Sequence, residues 1–321
     1  MEDYPRNFSE FSVRFATEEA CREYLRQLRW PEGFRCPRCG HPKGWPRRER
    51  TVIECSACGY MVSVTAGTVF QDSHLPLRLW FEAMWMVTSQ KNGASALTIQ
   101  QVLGLGSYRT AWAMLHKLRH AMVRPVRDRL SGRVEVDETF VGGEEENVRG
   151  RQRRTKSLVV VAVEEDGRGV GRVRMRRIAD ASASSLLAFV SEAVEAGSIV
   201  RTDGWSGYVG LEAAGYGHDK MVLRGQGVSA AAEELPRIHL LASLLKRWLT
   251  GTHQGAVSAE HLDYYLDEFT FRFNRRTSRS RGKLFYRLAQ QAVEVGPLPY
   301  NMILSRTGRR RRVSVLPESS A

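Results

Sequence analysis

Cys36, Cys39, Cys55 and Cys58 fall in two C-x2-C pairs, CPRCG and CSACG, with fifteen residues between the pairs. Two tight turns at that spacing each present two thiolates, and four thiolates complete the closed tetrahedron of a structural Zn²⁺ site. The pattern predicts bound zinc. A ribbon that touches DNA and a clip that only lets its own segment fold both fit it. Cys21 stands outside the spacing and reads as a helix residue.

Glu135 and Asp137 alternate in the apolar run RVEVDETFV, so a strand puts both on one face and Glu138 on the other with Val134 and Val136. A carboxylate in so apolar a strand is costly unless compensated, and a divalent cation compensates it; a solvated strand edge is the plain alternative. Asp203 directly follows the strand SIVRT and precedes Gly204. That is the C-terminal strand end where open α/β sheets hold ligands, although a DG pair also suits a turn. His239 opens a helical run, and Lys246, seven positions on, shares its face. Two strand carboxylates and a helical third ligand are the parts of a two-metal phosphoryl-transfer site, with ions about 4 Å apart at the attacking and leaving oxygens. A lysine two turns along can hold a phosphate. Alone, His239 and Lys246 are ordinary helix residues; the two aspartates give them meaning.

These groups need elements to position them. Residues 17–29 read as a helix capped by Thr17, with Glu18 and Glu19 at its positive end. The stretch from Arg35 to Val69 is short, turn-rich and β-prone. Three helical patterns follow, LRLWFEAMWMVTSQ, SALTIQQVLG and SYRTAWAMLHKLRHAM, and the Gly104–Ser107 turn gives the last two the outline of a helix-turn-helix. In the last, Trp112, Leu115 and Met122 suit a core, leaving Arg109, His116, Lys117, Arg119 and His120 as the polar surface. Beyond it come strands at RVEVDETFV, SLVVVAVEE and GRVRMRRIA, the helix SASSLLAFVSEAVE with Leu186, Leu187, Val190 and Val194 on one side, the strand SIVRT, and helices at Pro236–Leu249 and Ser258–Phe273. Three hairpin-like strands, a crossover helix, another strand and closing helices describe an α/β sheet of ribonuclease H type.

The 321 residues exceed one small core and imply several domains. Lys and Arg number 48 against 35 Asp and Glu, a formal charge of +13, with clusters at Arg149–Lys156 and Arg306–Arg312. A polyanion is the natural partner, held through counterion release. A membrane surface would need a basic amphipathic helix or a lipid signal at the termini, and neither is evident; the apolar run Leu158–Val163 is strand-sized, and MEDYPRNF is unlike a signal peptide. Few cysteines, mostly in metal-type pairs, point to a reducing cytoplasm.

Taken together, CPRCG, CSACG, AGTVF, LRLWFEAMW, SYRTAWAMLHKLRHAM, VEVDETFVGG, RTDGWSGY, LLKRWLTGTH and HLDYYLDEFTFRFNRR resemble the DDE transposases of bacterial insertion sequences, in the zinc-ribbon branch related to Merlin elements. The resemblance implies an N-terminal zinc ribbon, a helix-turn-helix and a ribonuclease H-like core that uses two Mg²⁺ or Mn²⁺ ions to nick element ends and join the freed 3′ hydroxyl to target DNA. Asp137 and Asp203 match the two catalytic aspartates and Lys246 the lysine after the third acid. His239 stands where relatives have Glu. Ser243, Leu244, Leu245 and Lys246 replace their SNLK, and Thr252, His253, Gln254 and Gly255 their THHG. Glu233, Glu234 and Glu268 are the other candidates for the third acid, Glu268 reading first as the polar side of an amphipathic helix.

The expected organisation is a helical leader at 1–30, the ribbon at 31–72, a helix-turn-helix domain at 73–128, the catalytic domain at 129–305 and a basic tail without fixed structure at 306–321. Arg109, Lys117, Arg119 and Arg247 are the expected DNA contacts. Double-stranded DNA, as terminal repeats and target, is the expected partner, with a homo-oligomer bringing two ends together in the bacterial cytoplasm at the nucleoid. Two rival readings remain: a DNA-binding zinc protein without chemistry, and another ribonuclease H-like nuclease that cuts without joining.

Overall fold

The computed structural model describes residues 2–47, 51–124, 127–142, 156–221 and 235–305. They form two compact units, one drawn from Met1–Val126 and Thr277–Ala321, the other from Arg127–Arg276.

The first unit opens with α1 (Phe8–Arg14) and α2 (Glu18–Arg29), each started by a side-chain cap: Asn7 accepts from the Glu10 N–H and Thr17 from the Ala20 N–H. An antiparallel sheet β1 (Gly44–Arg47), β2 (Val52–Cys55) and β3 (Met61–Ser63) carries the cysteine turns. Then come α3 (Leu77–Ser89), α4 (Ala96–Val102) and α5 (Tyr108–Ala121), the last two joined by a turn with Gly104 at φ +64. α3 lacks a cap of its own; Glu18 supplies one from α2, accepting the Leu77 and Arg78 N–H groups at 2.9 and 3.2 Å.

The second unit is a five-stranded sheet of β4 (Arg133–Val141), β5 (Ser157–Asp166), β6 (Gly169–Ile178), β7 (Ile199–Thr202) and β8 (Gly217–Lys220), ordered β6-β5-β4-β7-β8. β6, β5 and β4 run antiparallel, whereas β7 and β8 run parallel to β4 after the crossover helix α6 (Ala183–Ala193). α7 (Pro236–His253) and α8 (Leu262–Phe273) close the unit. Each face of the sheet has its own core. Val134, Val136, Val160 and Ala162 pack with Leu186 and Val190 of α6, and Val159, Val161 and Val163 pack with Ile238, Leu241 and Leu245 of α7 and with Leu266 of α8. Burial on both faces is why β5 is an unbroken apolar run with no alternation.

The division departs from the expected 129–305 segment. α9 (Arg281–Glu294) and α10 (Tyr300–Leu304) belong to the first unit, where Phe285 meets Phe11, Phe15 and Phe81 at ring separations of 5.4–5.5 Å. Gly282 lies against the Pro5 backbone, where any Cβ would collide. α1, β8, α9 and α10 have no counterpart in the sequence reading, and α7 runs four residues beyond Leu249.

Candidate functional site

The cysteine turns close as their spacing requires. Cys36 and Cys58 Sγ lie 3.7 Å apart and Cys39 and Cys55 Sγ 3.6 Å apart, with all four within 4.8 Å of one another. A tetrahedron with Zn–S bonds of about 2.3 Å has edges of about 3.8 Å, so the four thiols are arranged for zinc. Each pair sits on a matching turn: the Gly40 N–H donates to Cys36 O and the Gly59 N–H to Cys55 O, both glycines having positive φ. Burial raises the Cys55 thiol, but the backbone N–H groups of Cys58 and Ala57 outweigh it and leave it at about 7, while Cys39, lowered by the His41 backbone but raised further by the Cys58 thiol and burial, stands at about 12. Cys21 is buried in α2 with its thiol pushed up to about 12 by burial, and it takes no part.

The second site lies on the α7 face of the large sheet. β4 and β7 pair in parallel as Arg133 with Ile199, Val134 with Val200 and Glu135 with Arg201. Asp137 lies two residues beyond the last paired residue of β4, and Asp203 directly follows the end of β7. Asp203 also forms the turn that a DG pair suggests: its Oδ1 accepts the Trp205 N–H at 2.9 Å, and Gly204 has φ +77.

Burial is the first cause that raises the pKa of Asp137; the Glu138 N–H, donating to Oδ1 at 2.8 Å, opposes it, the Asp203 charge raises it further, and His239 lowers it. Strand β4, the end of β7 and the first turn of α7 thus act on one carboxyl group. Two carboxylates and an imidazole suit a divalent cation in kind, and a half-buried carboxyl group acted on by a second carboxylate is relieved by one. Among the described residues, only the four cysteines converge as a ready metal cage; the aspartates and His239 are not drawn as close. Lys246, exposed on α7, has its pKa lowered by partial burial and then by the Lys156 charge. Two ammonium groups acting on each other favour an anion there.

Glu135 shares the face of Asp137 but is committed elsewhere. It is fully buried, and both its oxygens accept hydrogen bonds from Arg237 or the start of α7. Sequence reasoning missed this partnership. The available signal was Leu235-Pro236 at a helix start, which offers no capping side chain. On the opposite face of β4, Glu138 and Trp205 line a half-open cavity of about 460 Å³.

The other candidates divide. Arg109 and Arg247 are exposed and Lys117 is half-buried. Arg119 is 1% exposed, and His116 is buried too, so the expected polar surface of α5 is corrected: its buried arc runs wide enough to take in both. Glu268 is also buried, in an ion pair with Arg272 at 3.6 Å, and is not on a solvated helix side. Glu233, Glu234, the Arg306–Arg312 cluster and most of the Arg149–Lys156 cluster lie outside the described residues.

Residues 129–274 match the family model of the ISXO2-like transposase domain, and residues 16–61 that of the transposase zinc-ribbon domain. Between them the matches cover more than half of the chain. The chain is 27% identical over 286 residues to a Halobacterium salinarum protein described as an uncharacterized protein in transposable element ISH50, spanning 84% of this chain and 94% of the other. A solved chain in the cryo-EM structure of a simian T-cell lymphotropic virus intasome, in complex with PP2A regulatory subunit B56 gamma, is similar at 16% identity and a TM-score of 0.31. That likeness covers 63% of this chain and 74% of the other and is too slight to define the fold. No helix among the described residues is long and apolar enough to cross a membrane.

Proposed function

We propose that this chain, a member of the ISXO2-like transposase family, binds the ends of its insertion sequence and performs metal-dependent strand cleavage and transfer there. The observation that carries the reading is the placement of Asp137 on the interior strand β4 and of Asp203 just past the end of its parallel neighbour β7, within the segment that matches the transposase domain. The strand order β6-β5-β4-β7-β8 with α6 as crossover suits a ribonuclease H-like core.

Asp137, Asp203 and His239 would hold Mg²⁺ or Mn²⁺, which when bound supply Lewis-acid activation of the attacking oxygen and charge neutralisation at the leaving one. Imidazole brings no negative charge, so the third position is softer than a glutamate and favours Mn²⁺ over Mg²⁺. Lys246, two turns along α7, holds a phosphate of the bound strand with Lys156 beside it. α4 and α5 act as the helix-turn-helix, Arg109 and Lys117 meeting phosphates, while Arg247 adds a contact from α7. The ribbon, with its zinc, grips the element ends. Two ends must be brought together, so the working form is a homo-oligomer, at the nucleoid in the bacterial cytoplasm.

The test is to incubate the purified chain with labelled terminal DNA and Mg²⁺ or Mn²⁺ and to follow nicks and joined products. Asp137→Asn should cut product formation by at least the ~10²–10³-fold that loss of one transition-state-stabilising group costs, while leaving DNA binding unchanged. Cutting without joining would mark a ribonuclease H-like nuclease instead. The looser approach of the Asp137 group compared with the four thiols favours one alternative, a DNA-binding zinc protein without chemistry, for which wild type and Asp137→Asn would bind alike and neither would cut.

A further inference from the structure

We infer that Glu135 and Arg237 are a positioning pair for the metal site: they fix the start of α7 on β4 so that His239 is presented to Asp137, and Glu135 is not itself a metal ligand. The inference rests on the reading of His239 as third ligand.

The donors at the start of α7 account for the arrangement. Leu235 at the N-cap makes no side-chain cap, and Pro236 at the first position has no N–H to satisfy. The next two N–H groups, of Arg237 and Ile238, donate to Glu135 Oε2 at 3.1 and 3.2 Å, and from His239 onward the helix supplies its own acceptors, beginning with Leu235 O at 3.2 Å. Glu135, on β4 and 102 residues before Arg237, is thus the cap of α7 among the described residues, with its charge at the helix's positive end.

The Arg237 side chain locks the same junction. Nη1 donates to Glu135 Oε1 at 2.7 Å, Nε to Gly169 O at 2.8 Å and Nη2 to Gly167 O at 2.7 Å, and Glu165 pairs with Nη1 at 3.5 Å. One guanidinium therefore joins β4, the β5–β6 turn and α7. Asp137 lies two residues beyond Glu135, and His239 two residues beyond Arg237, so the pair sets the approach of these two groups. With its oxygens turned to the helix start and Arg237, Glu135 has no reason to seek a cation.

Glu18 provides a control within the chain, since it caps α3 through two backbone N–H groups in the same manner but belongs to the other unit. The experiment loads the full zinc-containing chain with Mn²⁺ and measures Mn²⁺ affinity and the ¹⁴N imidazole coupling of the bound ion by pulsed EPR. In wild type the coupling should be present and should vanish in His239→Ala. Glu135→Gln keeps the shape but turns an amide toward donors, and should weaken Mn²⁺ binding by ~10–100-fold, as loss of an outer-shell partner does, with the ¹⁴N coupling reduced or shifted. Glu18→Gln should lower thermal stability and leave both readings as in wild type. If Glu135→Gln fails to fold, Arg237→Lys serves in its place: it retains the Glu135 charge pair and the backbone caps but cannot reach both glycine carbonyls, and should still shift the coupling. Unchanged affinity and coupling in the folded variant would overturn the inference. Loss of all Mn²⁺ binding in Glu135→Gln, as complete as in Asp137→Asn, would make Glu135 a ligand and overturn it as well. An Mn²⁺ signal that His239→Ala leaves intact would instead sink the ligand reading on which this one rests.

Discussion

The zinc ribbon and the Asp137 site proposed on the large sheet, called the cleft below, are assembled at opposite ranges. In the ribbon, all four donors come from two turns within Cys36–Cys58, and each turn is closed by its own backbone hydrogen bond. Each turn brings the two thiols of its own pair together, and the pairing of β1 with β2 between them sets one pair against the other, Sγ to Sγ at 3.6–3.7 Å across the pairs. In the cleft the donors come from a strand interior, the end of a parallel neighbour and a helix, and their approach depends on the register of β4 with β7 and on a buried ion pair between Glu135 and Arg237. A local site is as good as its turns; a site made by tertiary structure is as good as the joints between elements.

The difference predicts what each site does when its cation or a donor is lost. Stripping zinc, or Cys39→Ser, should have the largest effect, because the ribbon's short strands have little core and a structural zinc contributes on the order of 10 kcal/mol to small zinc domains. Hydrogen exchange should show β1–β3 losing protection while the Arg127–Arg276 sheet keeps it. Equal loss in both would mean that the ribbon is not folded locally. The cleft should behave oppositely, since without metal it has cores on both faces of its sheet and remains folded.

A smaller effect tests whether the cleft side of the comparison reaches DNA. Lys246 is exposed, and among the described residues the charge that acts on it is another lysine, Lys156, with no ion pair to complicate the reading. Lys246→Ala should weaken binding to terminal DNA by several-fold and reduce the slope of log affinity against log salt by ~0.9, the share of one phosphate contact. Fluorescence titration at several salt concentrations measures it. An unchanged slope would remove Lys246 from the DNA path.

The same contrast governs what could be read from residue order alone. The four ligands of the ribbon were legible, because C-x2-C spacing dictates turn geometry. Asp137 was legible as a strand position and Asp203 as the residue that follows a strand, and the structure has β4 and β7 as parallel neighbours. Glu135 looked like a twin of Asp137 because both lie on one face of β4; its partner is 102 residues away, and no periodicity reports that. Arg119 and Glu268 were misread for a related reason. Helical spacing says which residues share a side but not how wide the covered arc is, and in α5 and α8 it is wide enough to bury both charges. The Arg281–Glu294 helix, unread in the sequence, joins its unit through Phe285, and nothing local to residues 277–305 reveals that they return to the aromatic core of α1–α3.

The smallest expected effect concerns the cation-free cleft and has a definite sign. Burial, then the Asp203 charge, hold the pKa of Asp137 above its ordinary value despite the Glu138 N–H and His239. A carboxyl group raised on folding binds its proton more tightly folded than unfolded. Its stabilising contribution is complete below the unfolded value of about 3.9 and is lost as pH rises through the higher folded value. As pH rises above the unfolded value the metal-free protein therefore loses stability at Asp137, whose charge its surroundings disfavour. Asp137→Asn should then melt higher than wild type at pH 7 without Mg²⁺ or Mn²⁺, by ~2–4 °C for each 1 kcal/mol relieved in a domain of this size, and the gap should close toward pH 4. Added Mn²⁺ should raise the wild-type Tm and leave Asp137→Asn unmoved. Were the variant to melt lower at pH 7, Asp137 would be stabilised by its surroundings without any cation, and the cleft would be a finished structure like the ribbon turns and not a site waiting for charge.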